Sequence, residues 1–183
     1  MHPQDVAEHV EQSVDVLRRR LEDHPDLGVS AVDLDGSTLN LSFSVTQRRL
    51  VEGVVSSGLV GANNQVFGQA VRVIDLGARP ERRDLVLSLD LTDYDGQPPT
   101  AELLHPDLTS LAEAEWPKSS DFQGIIIGHI DYNRPWFCRR GLREYHSHPQ
   151  HEDDPWDRYR EKLALHAVVE ELLWDLQNRM SFT

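Results

Sequence analysis

The chain of 183 residues is long enough for one globular domain, and its content of 39% hydrophobic and 27% charged residues is typical of an ordered protein. Its formal charge of −13 argues against nucleic acid or an anionic membrane surface as the main partner, because binding phosphates needs a concentrated basic face. The single cysteine, Cys138, excludes an internal disulfide and any zinc finger with two cysteines.

The sequence carries no signal for insertion into a membrane or for export. No apolar run approaches the roughly 18 residues that span a bilayer. The start of the sequence is polar and acidic, without the basic and apolar regions of a signal peptide. We therefore expect a cytoplasmic protein that has no membrane partner.

The first half of the chain predicts a helix followed by strands. Apolar residues spaced by three or four place one stripe on a helix from about Pro3 to Asp23. Asp35-Gly36 then marks a hairpin turn between alternating segments. Four strands are predicted, at residues 29–34, 39–45, 65–76 and 84–91. The pattern from Gln47 to Leu59 allows a short helix, and glycine-containing turns are expected at 61–64 and 77–80.

The second half of the chain predicts a core strand and a closing helix. A proline-marked passage at 94–99 and a brief apolar run at 101–104 precede the most apolar stretch, Phe122 to Ile130, which is typical of a buried strand. A helix is predicted over about 155–180, with Asp154 as its N-cap and Pro155 as its first residue. Its expected buried stripe consists of Trp156, Tyr159, Leu163, His166, Val169, Leu173 and Leu176.

The order of these elements predicts the fold class. An N-terminal helix, a four-stranded antiparallel meander and a C-terminal helix indicate an α+β protein with helices packed on one face of the sheet. A doubly wound parallel sheet is disfavoured, because helical patterns do not alternate with strands. We expect one domain over residues 1–183, with the segment 133–151 and the helix 155–180 appended to the sheet core.

The segment 133–151 concentrates residues that bind metals. His146 and His148 would lie on the same side of an extended segment, and Glu144 has the same parity. Cys138 would add a thiolate if 139–142 forms a turn. In a regular strand residues 144 and 148 would be about 13 Å apart, so the chain must bend, and Pro149 favours a bend.

These four side chains predict a zinc site. One thiolate, two imidazoles and one carboxylate form a mixed tetrahedral set that suits zinc. Four protein ligands indicate a closed structural site. If Glu144 instead faces a bound water, three ligands and the water give a catalytic geometry.

Other interpretations of these residues stay open. Cys138 could be a small buried hydrophobic residue, or a reactive thiol whose pKa the neighbouring arginines lower. His105 and His129 could supply further ligands, or they could be ordinary histidines of a turn and of the core. His166 is expected as a hydrogen-bonded core histidine, and helix capping explains the acidic run 152–154.

The metal-binding residues resemble a known signature. Cys138, Glu144, His146 and His148, with the flanking segments 134–137 and 154–160, are similar to a bacterial family of predicted metal-binding proteins named for its Cys-Glu-His-His residues. The resemblance implies that these four residues bind the metal. That family is associated with operons for ubiquitin-like proteins, their activating enzymes and JAB-type metallopeptidases. Protein partners in a ubiquitin-like modification pathway are therefore implied, although no reaction is.

The predicted N-terminal helix followed by a four-stranded meander resembles the opening of the ubiquitin-conjugating and RWD fold. The strand from Leu85 to Leu91, Pro98-Pro99 and His105-Pro106-Asp107 are similar to that fold's last strand, its Pro-Pro passage and its His-Pro-Asn turn. Asp107 stands where conjugating enzymes keep an asparagine that stabilises the oxyanion, and an anion there would oppose it. Cys138 also falls far later than their thioester cysteine. The resemblance therefore implies the fold and not the activity.

Together the residues and resemblances predict a zinc-binding protein that acts as a non-catalytic adaptor in a bacterial ubiquitin-like modification system. One alternative is a conjugating-type transferase in which Cys138 accepts the thioester. A second alternative is a zinc hydrolase, in which Glu144 is the general base and Cys138, His146 and His148 bind the metal.

Overall fold

A long helix precedes the strands of the main sheet, and a second long helix follows them. The computed structural model describes residues 3–47, 50–60, 66–74, 81–119, 125–126 and 133–181. The α-helices are α1 (Pro3–Glu22), α2 (Arg143–Ser147) and α3 (Leu165–Asn178). The long strands are β1 (Val29–Asp35), β2 (Thr38–Gln47), β3 (Leu50–Val60), β4 (Val66–Ile74), β5 (Glu81–Asp90) and β6 (Thr100–Leu104). Four short strands follow: β7 (Lys118–Ser119), β8 (Ile125–Ile126), β9 (Trp136–Phe137) and β10 (Met180–Ser181).

The main sheet has four antiparallel strands in the order β1-β2-β5-β6. The alternating segments around Asp35-Gly36 form the predicted hairpin, β1 and β2. The predicted α+β class is therefore confirmed: one helix precedes the strands of the antiparallel sheet in the chain, and another follows them. The fourth strand of this sheet is β6, which comes from the brief apolar run at 101–104.

The segment 50–60 is a strand, so the short helix considered for Gln47 to Leu59 is wrong. β3 pairs antiparallel with β4, from Leu50 opposite Ile74 to Val60 opposite Val66, and the two strands form a sheet of their own. Valine is frequent in this segment, and β-branched residues favour the extended backbone. Pairing with β4 decides between the two conformations that the local pattern allows.

One hydrophobic core joins the sheet to α1 and α3. Alternate residues of β2 from Leu39 to Val45 are buried, as the period of a strand with one buried face requires. α1 contributes Val10, Val14, Leu17 and Leu21, and α3 contributes Leu165, Val168, Val169, Leu172, Leu173 and Leu176. The spacings of three and four place each set on one side of its helix. Full burial of such a side chain contributes about 1.5–3 kcal/mol.

The closing helix begins later than the sequence predicts. α3 starts at Leu165, and residues 156–158 form a separate 3-10 turn. Pro155 is extended, with ψ of 149°, and Trp156 is buried with its indole N–H donating to the carbonyl of Asp95 at 2.8 Å. This long-range contact holds the segment before α3 in turns. The predicted helix over 155–180 is therefore correct only over 165–178, because Met180 belongs to the short strand β10.

Polar contacts join α3 to the beginning of the chain. The Arg20 guanidinium donates to both carboxylate oxygens of Glu170, at 2.8 and 2.9 Å. The amide of Gln177 donates to the carbonyl of Ser44 at 2.7 Å and to that of Leu27 at 3.0 Å. The two ends of the described chain are thus packed together.

Some predicted elements fall outside the described residues. These are the turns at 61–64 and 77–80 and His129. Of the strand predicted from Phe122 to Ile130, only 125–126 are described, as β8, which pairs with β9. Within the parts of the chain that the structure describes, no helix has both the length and the apolar character needed to cross a bilayer.

Candidate functional site

The segment after β9 bends sharply before α2. Gly141 has φ of +97°, and an added Cβ would lie 2.6 Å from a methyl carbon of Val168 on α3. Glycine adopts this positive φ without strain and leaves room for Val168, whereas a residue with a Cβ would do neither. Leu142, the next residue, is fully buried. The turn over 139–142 that would bring in Cys138 is therefore present, and it is anchored against the last helix.

Residues 143–147 are helical, so the extended arrangement predicted for His146 and His148 is wrong. α2 occupies these residues, and a single 3-10 turn over Pro149–His151 follows it. Residues two apart in a helix point in different directions, whereas residues three apart in a 3-10 turn are eclipsed. Helical geometry therefore separates His146 from His148 and brings His148 over His151.

Glu144 is fully buried and holds α2 against β6. Its Oε1 accepts hydrogen bonds from the backbone N–H of Ala101 at 3.1 Å and from the Arg134 guanidinium at 3.2 Å. Arg134 also donates to the carbonyls of Ala101 and Pro135 and lies 3.5 Å from Glu102. Burial raises the pKa of Glu144, while these donors act in the opposite direction. The carboxylate is a structural anchor in this arrangement.

His146 uses both ring nitrogens for backbone contacts. The N–H of Gly141 donates to Nε2 at 3.1 Å, and Nδ1 lies 2.7 Å from the carbonyl oxygen of Asp154. A neutral imidazole with its proton on Nδ1 satisfies both contacts. Burial lowers the pKa of His146, which favours this neutral form. The ring thus connects the turn before α2 to the chain after the 3-10 turn.

Cys138 faces an imidazole. Its Sγ lies 3.6 Å from Nε2 of His151. Burial raises the pKa of the Cys138 thiol, and the Arg139 charge only partly opposes this shift. The Arg139 guanidinium pairs with Asp175 and approaches Glu171 at 3.5 Å, both on α3. Burial thus favours the protonated thiol over the thiolate.

Aromatic rings orient the two histidines of the 3-10 turn. The ring of His151 stacks on Tyr145, with centroids 3.8 Å apart, and the ring of His148 stacks on Trp136 at 5.4 Å. The His148 and His151 centroids are 5.9 Å apart. Burial lowers the pKa of His151, and nearby His148 lowers it further. Cys138, His148 and His151 are hereafter called the thiol–imidazole cluster.

Asp154 fixes the side chains of Tyr145 and Arg140. Its carboxylate accepts hydrogen bonds from the Tyr145 hydroxyl and from Arg140, each at 2.9 Å. A hydrogen bond from Tyr159, followed by those from Tyr145 and Arg140, lowers the pKa of Asp154 to about 2. This acid does not cap a helix at 155, because none begins there. It fixes Tyr145 and so supports the ring on which His151 stacks.

Of the four predicted ligands, the structure places Cys138 and His148 in the thiol–imidazole cluster and gives Glu144 and His146 other partners. Among the described residues, no group of three or more His, Cys, Asp or Glu side chains is arranged to hold a metal ion. His105, the other described candidate ligand, lies elsewhere and pairs with Glu115 at 3.3 Å.

The prediction of ligands from the sequence did not include His151. The signal that could have identified it is the spacing of His148 and His151 around Pro149, which starts a 3-10 turn.

Comparison with known proteins adds no relative. No protein-family model matches the chain, and no curated protein matches it.

Proposed function

We propose that the chain is a zinc-binding, non-catalytic adaptor of a bacterial ubiquitin-like modification system. The observation that carries the proposal is the distance of 3.6 Å between Cys138 Sγ and His151 Nε2. Zn–S and Zn–N bonds of about 2.3 and 2.05 Å at a tetrahedral angle place the two ligand atoms about 3.6 Å apart. The thiol and the imidazole are thus spaced as two ligands of one zinc ion.

A structural role agrees with where this segment lies. It connects β9 to α3, and Glu144 and Arg139 attach it to the sheet and to α3. Zinc bound here would stabilise the connection, because its binding free energy adds to the folding free energy. The pathway is inferred from the resemblance of segment 134–160 to the Cys-Glu-His-His family, and it implies protein partners.

Zinc content tests the proposal directly. We expect about one zinc ion per chain in protein purified without a histidine tag, and loss of zinc together with a lower Tm in Cys138→Ser. Ser147→Ala, an exposed change in the same segment, is the matched control and should keep both. A wild-type protein that is folded, and that stays metal-free when zinc is supplied, contradicts the proposal.

The adaptor role needs a separate test. Zinc-loaded protein should bind its cognate ubiquitin-like protein or activating enzyme, and chelated protein or Cys138→Ser should bind more weakly. Binding to neither purified partner would remove the pathway from the proposal and leave zinc binding in place.

A transferase is the second candidate, favoured by the same Cys138–His151 contact. His151 could accept the thiol proton while the sulfur attacks the thioester carbonyl of an activated ubiquitin-like protein. The new S–C bond would replace the bond to the activating enzyme's cysteine, which leaves as a thiol with the proton returned by His151. The raised pKa of Cys138 places this candidate second.

A thiol-sensitive adduct tests the transferase. Wild-type protein incubated with activating enzyme, ATP and the ubiquitin-like protein should form it, and Cys138→Ser should not. Absence of the adduct in both proteins rejects this candidate. The hydrolase alternative needs Glu144 as a general base, but this side chain is buried against Ala101 and Arg134, and no observation favours it.

A further inference from the structure

We propose that the outer edge of β1 binds an extended, basic segment of a partner protein, which joins the main sheet as an antiparallel strand. β1 lies at the opposite edge of this sheet from β6, where Glu144 attaches the segment that carries Cys138. Binding at β1 is therefore separate from zinc binding and gives the protein a surface for recognising a partner.

The two edge strands of the main sheet are protected to different degrees. At β6, buried Glu144 accepts a hydrogen bond from the outward N–H of Ala101, and Arg134 donates to the carbonyl of the same residue. Among the described strands, β1 pairs only with β2. An uncovered edge presents backbone donors and acceptors that can pair with another strand. β1 is therefore the edge at which a further strand can add.

Hydrogen bonds of β2 show which backbone groups of β1 point outward. The N–H of Ser44 on β2 donates to a carbonyl just before β1. Backbone groups alternate along a strand, so Asn40 also turns towards β1, where its partner is Asp33. Val32, next to Asp33, therefore turns its N–H and C=O away from β2, and Leu34 does the same.

One of these outward groups already accepts a hydrogen bond from a cation. The Arg18 guanidinium on α1 donates to the Val32 carbonyl at 3.3 Å and pairs with Asp15 at 3.1 Å. The Arg18 side chain is 44% exposed. Because 3.3 Å is longer than an ordinary N–H···O bond and Asp15 lies on the same helix, an incoming backbone N–H can replace Arg18 while its ion pair stays intact. Arg18 thus stands where a partner strand would donate.

The apolar side chains of β1 keep surface that a further strand would cover. Val32 and Leu34 pack against the core but are only half-buried, whereas Leu41 and Leu39, opposite them on β2, are fully buried. An added strand with apolar residues on this face would bury the remaining surface, which favours association.

Charge selects a basic occupant. Asp33 and Asp35 are exposed on the other face of β1, and within the described part of the chain no cation pairs with either carboxylate. The backbone of Asp33 faces β2, so a residue opposite it on the new strand forms a non-hydrogen-bonded pair, in which side chains lie closer. Opposite charges stabilise such a pair, and like charges destabilise it. A second copy of this chain, with its charge of −13, would add further aspartates to this face.

Two peptides as long as β1, blocked at both ends, test the proposal. One alternates lysine with valine, and the other alternates glutamate with valine. We expect the lysine peptide to bind at least about 10-fold more tightly in fluorescence anisotropy, because its charges pair with Asp33 and Asp35. N-methylation of its valine nitrogens, which face β1 in an antiparallel strand, should abolish binding.

Charge reversal locates the binding site. Asp33→Lys should weaken binding of the lysine peptide by about 10-fold and strengthen binding of the glutamate peptide. Asp26→Lys makes the same change in net charge at an exposed position of the 3-10 turn before β1, and it should alter each affinity by less than about 2-fold. Equal effects of the two substitutions overturn the proposal, because the peptide would then respond to the charge of the whole molecule.

Amide hydrogen exchange shows whether a strand has been added, even if Asp33→Lys weakens the fold. In wild-type protein, the bound lysine peptide should slow exchange at the outward N–H groups of Val32 and Leu34. Failure of this peptide to bind at millimolar concentration, or binding without protection of these amides, overturns the proposal. A wild-type dimer in sedimentation experiments that protects the same amides would assign the edge to a second copy, which also overturns it.

Discussion

Replacing Glu144 with alanine should destabilise the protein whether or not zinc is present. The side chain is fully buried, and its Oε1 accepts the Ala101 N–H and one Arg134 N–H. Alanine leaves the Ala101 donor without this acceptor inside the protein, which costs about 1–3 kcal/mol. It also removes the carboxylate that faces Arg134.

Loss of the ion pair with Arg134 should cost less unfolding free energy than breaking an isolated buried ion pair. Breaking such a pair costs about 3–5 kcal/mol. Arg134 keeps the carbonyls of Ala101 and Pro135 and lies near Glu102. We therefore expect Glu144→Ala to lose about 2–4 kcal/mol of unfolding free energy. Glu144→Gln keeps an acceptor oxygen and should lose about 1 kcal/mol or less.

Urea unfolding with a chelator present measures this loss without any contribution from a metal. At 2–4 °C per kcal/mol for a chain of this size, Tm should fall by roughly 5–15 °C in Glu144→Ala. Glu113→Ala, an exposed acid in a turn, should stay within about 0.5 kcal/mol of wild type. A Glu144→Ala variant as stable as this control, or a deficit that arises only with zinc bound, would refute the anchoring role.

Three further predictions follow from other contacts. Gly28→Ala should lose at least about 2 kcal/mol in urea unfolding, because φ is +70° and the new Cβ would lie 2.5 Å from the Ser44 carbonyl oxygen; an unchanged midpoint contradicts this. Because the Tyr159 hydrogen bond helps to lower the Asp154 pKa from 3.8 to about 2, this carboxylate contributes stability above about pH 4 that is lost as the pH falls towards 2. Asp154→Asn should therefore show a shallower acid dependence in unfolding experiments across that range, and an unchanged slope would count against this linkage. Burial raises the pKa of Cys138, so iodoacetamide should label the folded, metal-free protein more slowly at neutral pH than the urea-unfolded chain, and equal rates would contradict the burial of the thiol.

Local sequence patterns predict the elements whose partners are close in the chain. The apolar period of α1 and the Asp35-Gly36 hairpin are both confirmed. The segment from Gln47 to Leu59 differs, because its apolar residues fit either conformation and the backbone of β4 selects the strand. The conformation of this segment therefore cannot be predicted from its local sequence alone.

The start of α3 depends on distant contacts in the same way. The apolar stripe continues from Trp156 through Leu163, which predicts a longer helix. In the structure Trp156 instead donates to the carbonyl of Asp95, 61 residues earlier in the chain. Residues before 165 cover the core in turns, so an amphipathic period alone does not establish that a segment is helical.

The location of the candidate site could be predicted from residue types, but its geometry could not. Cysteine and histidine cluster in the segment 133–151, and within it the Cys138 thiol contacts His151, which was not among the predicted ligands. His146 and His148 were expected on one side of an extended segment, but residues 143–147 form the helix α2. The partner of Glu144 is Ala101, which lies 43 residues away in sequence, so only the folded chain shows that this carboxylate is occupied.

The packing of α3 has a consequence for how the protein is made. Val169, Leu173 and Leu176 have no exposed surface, and they complete a core that α1 and the first hairpin begin. On the ribosome, the sheet and α1 are synthesised well before α3 leaves the exit tunnel. Until then the nascent chain shows an uncovered apolar face, the condition under which chaperones bind and partly folded chains aggregate. Closure of the core by α3 therefore follows the synthesis of α1 and the first hairpin.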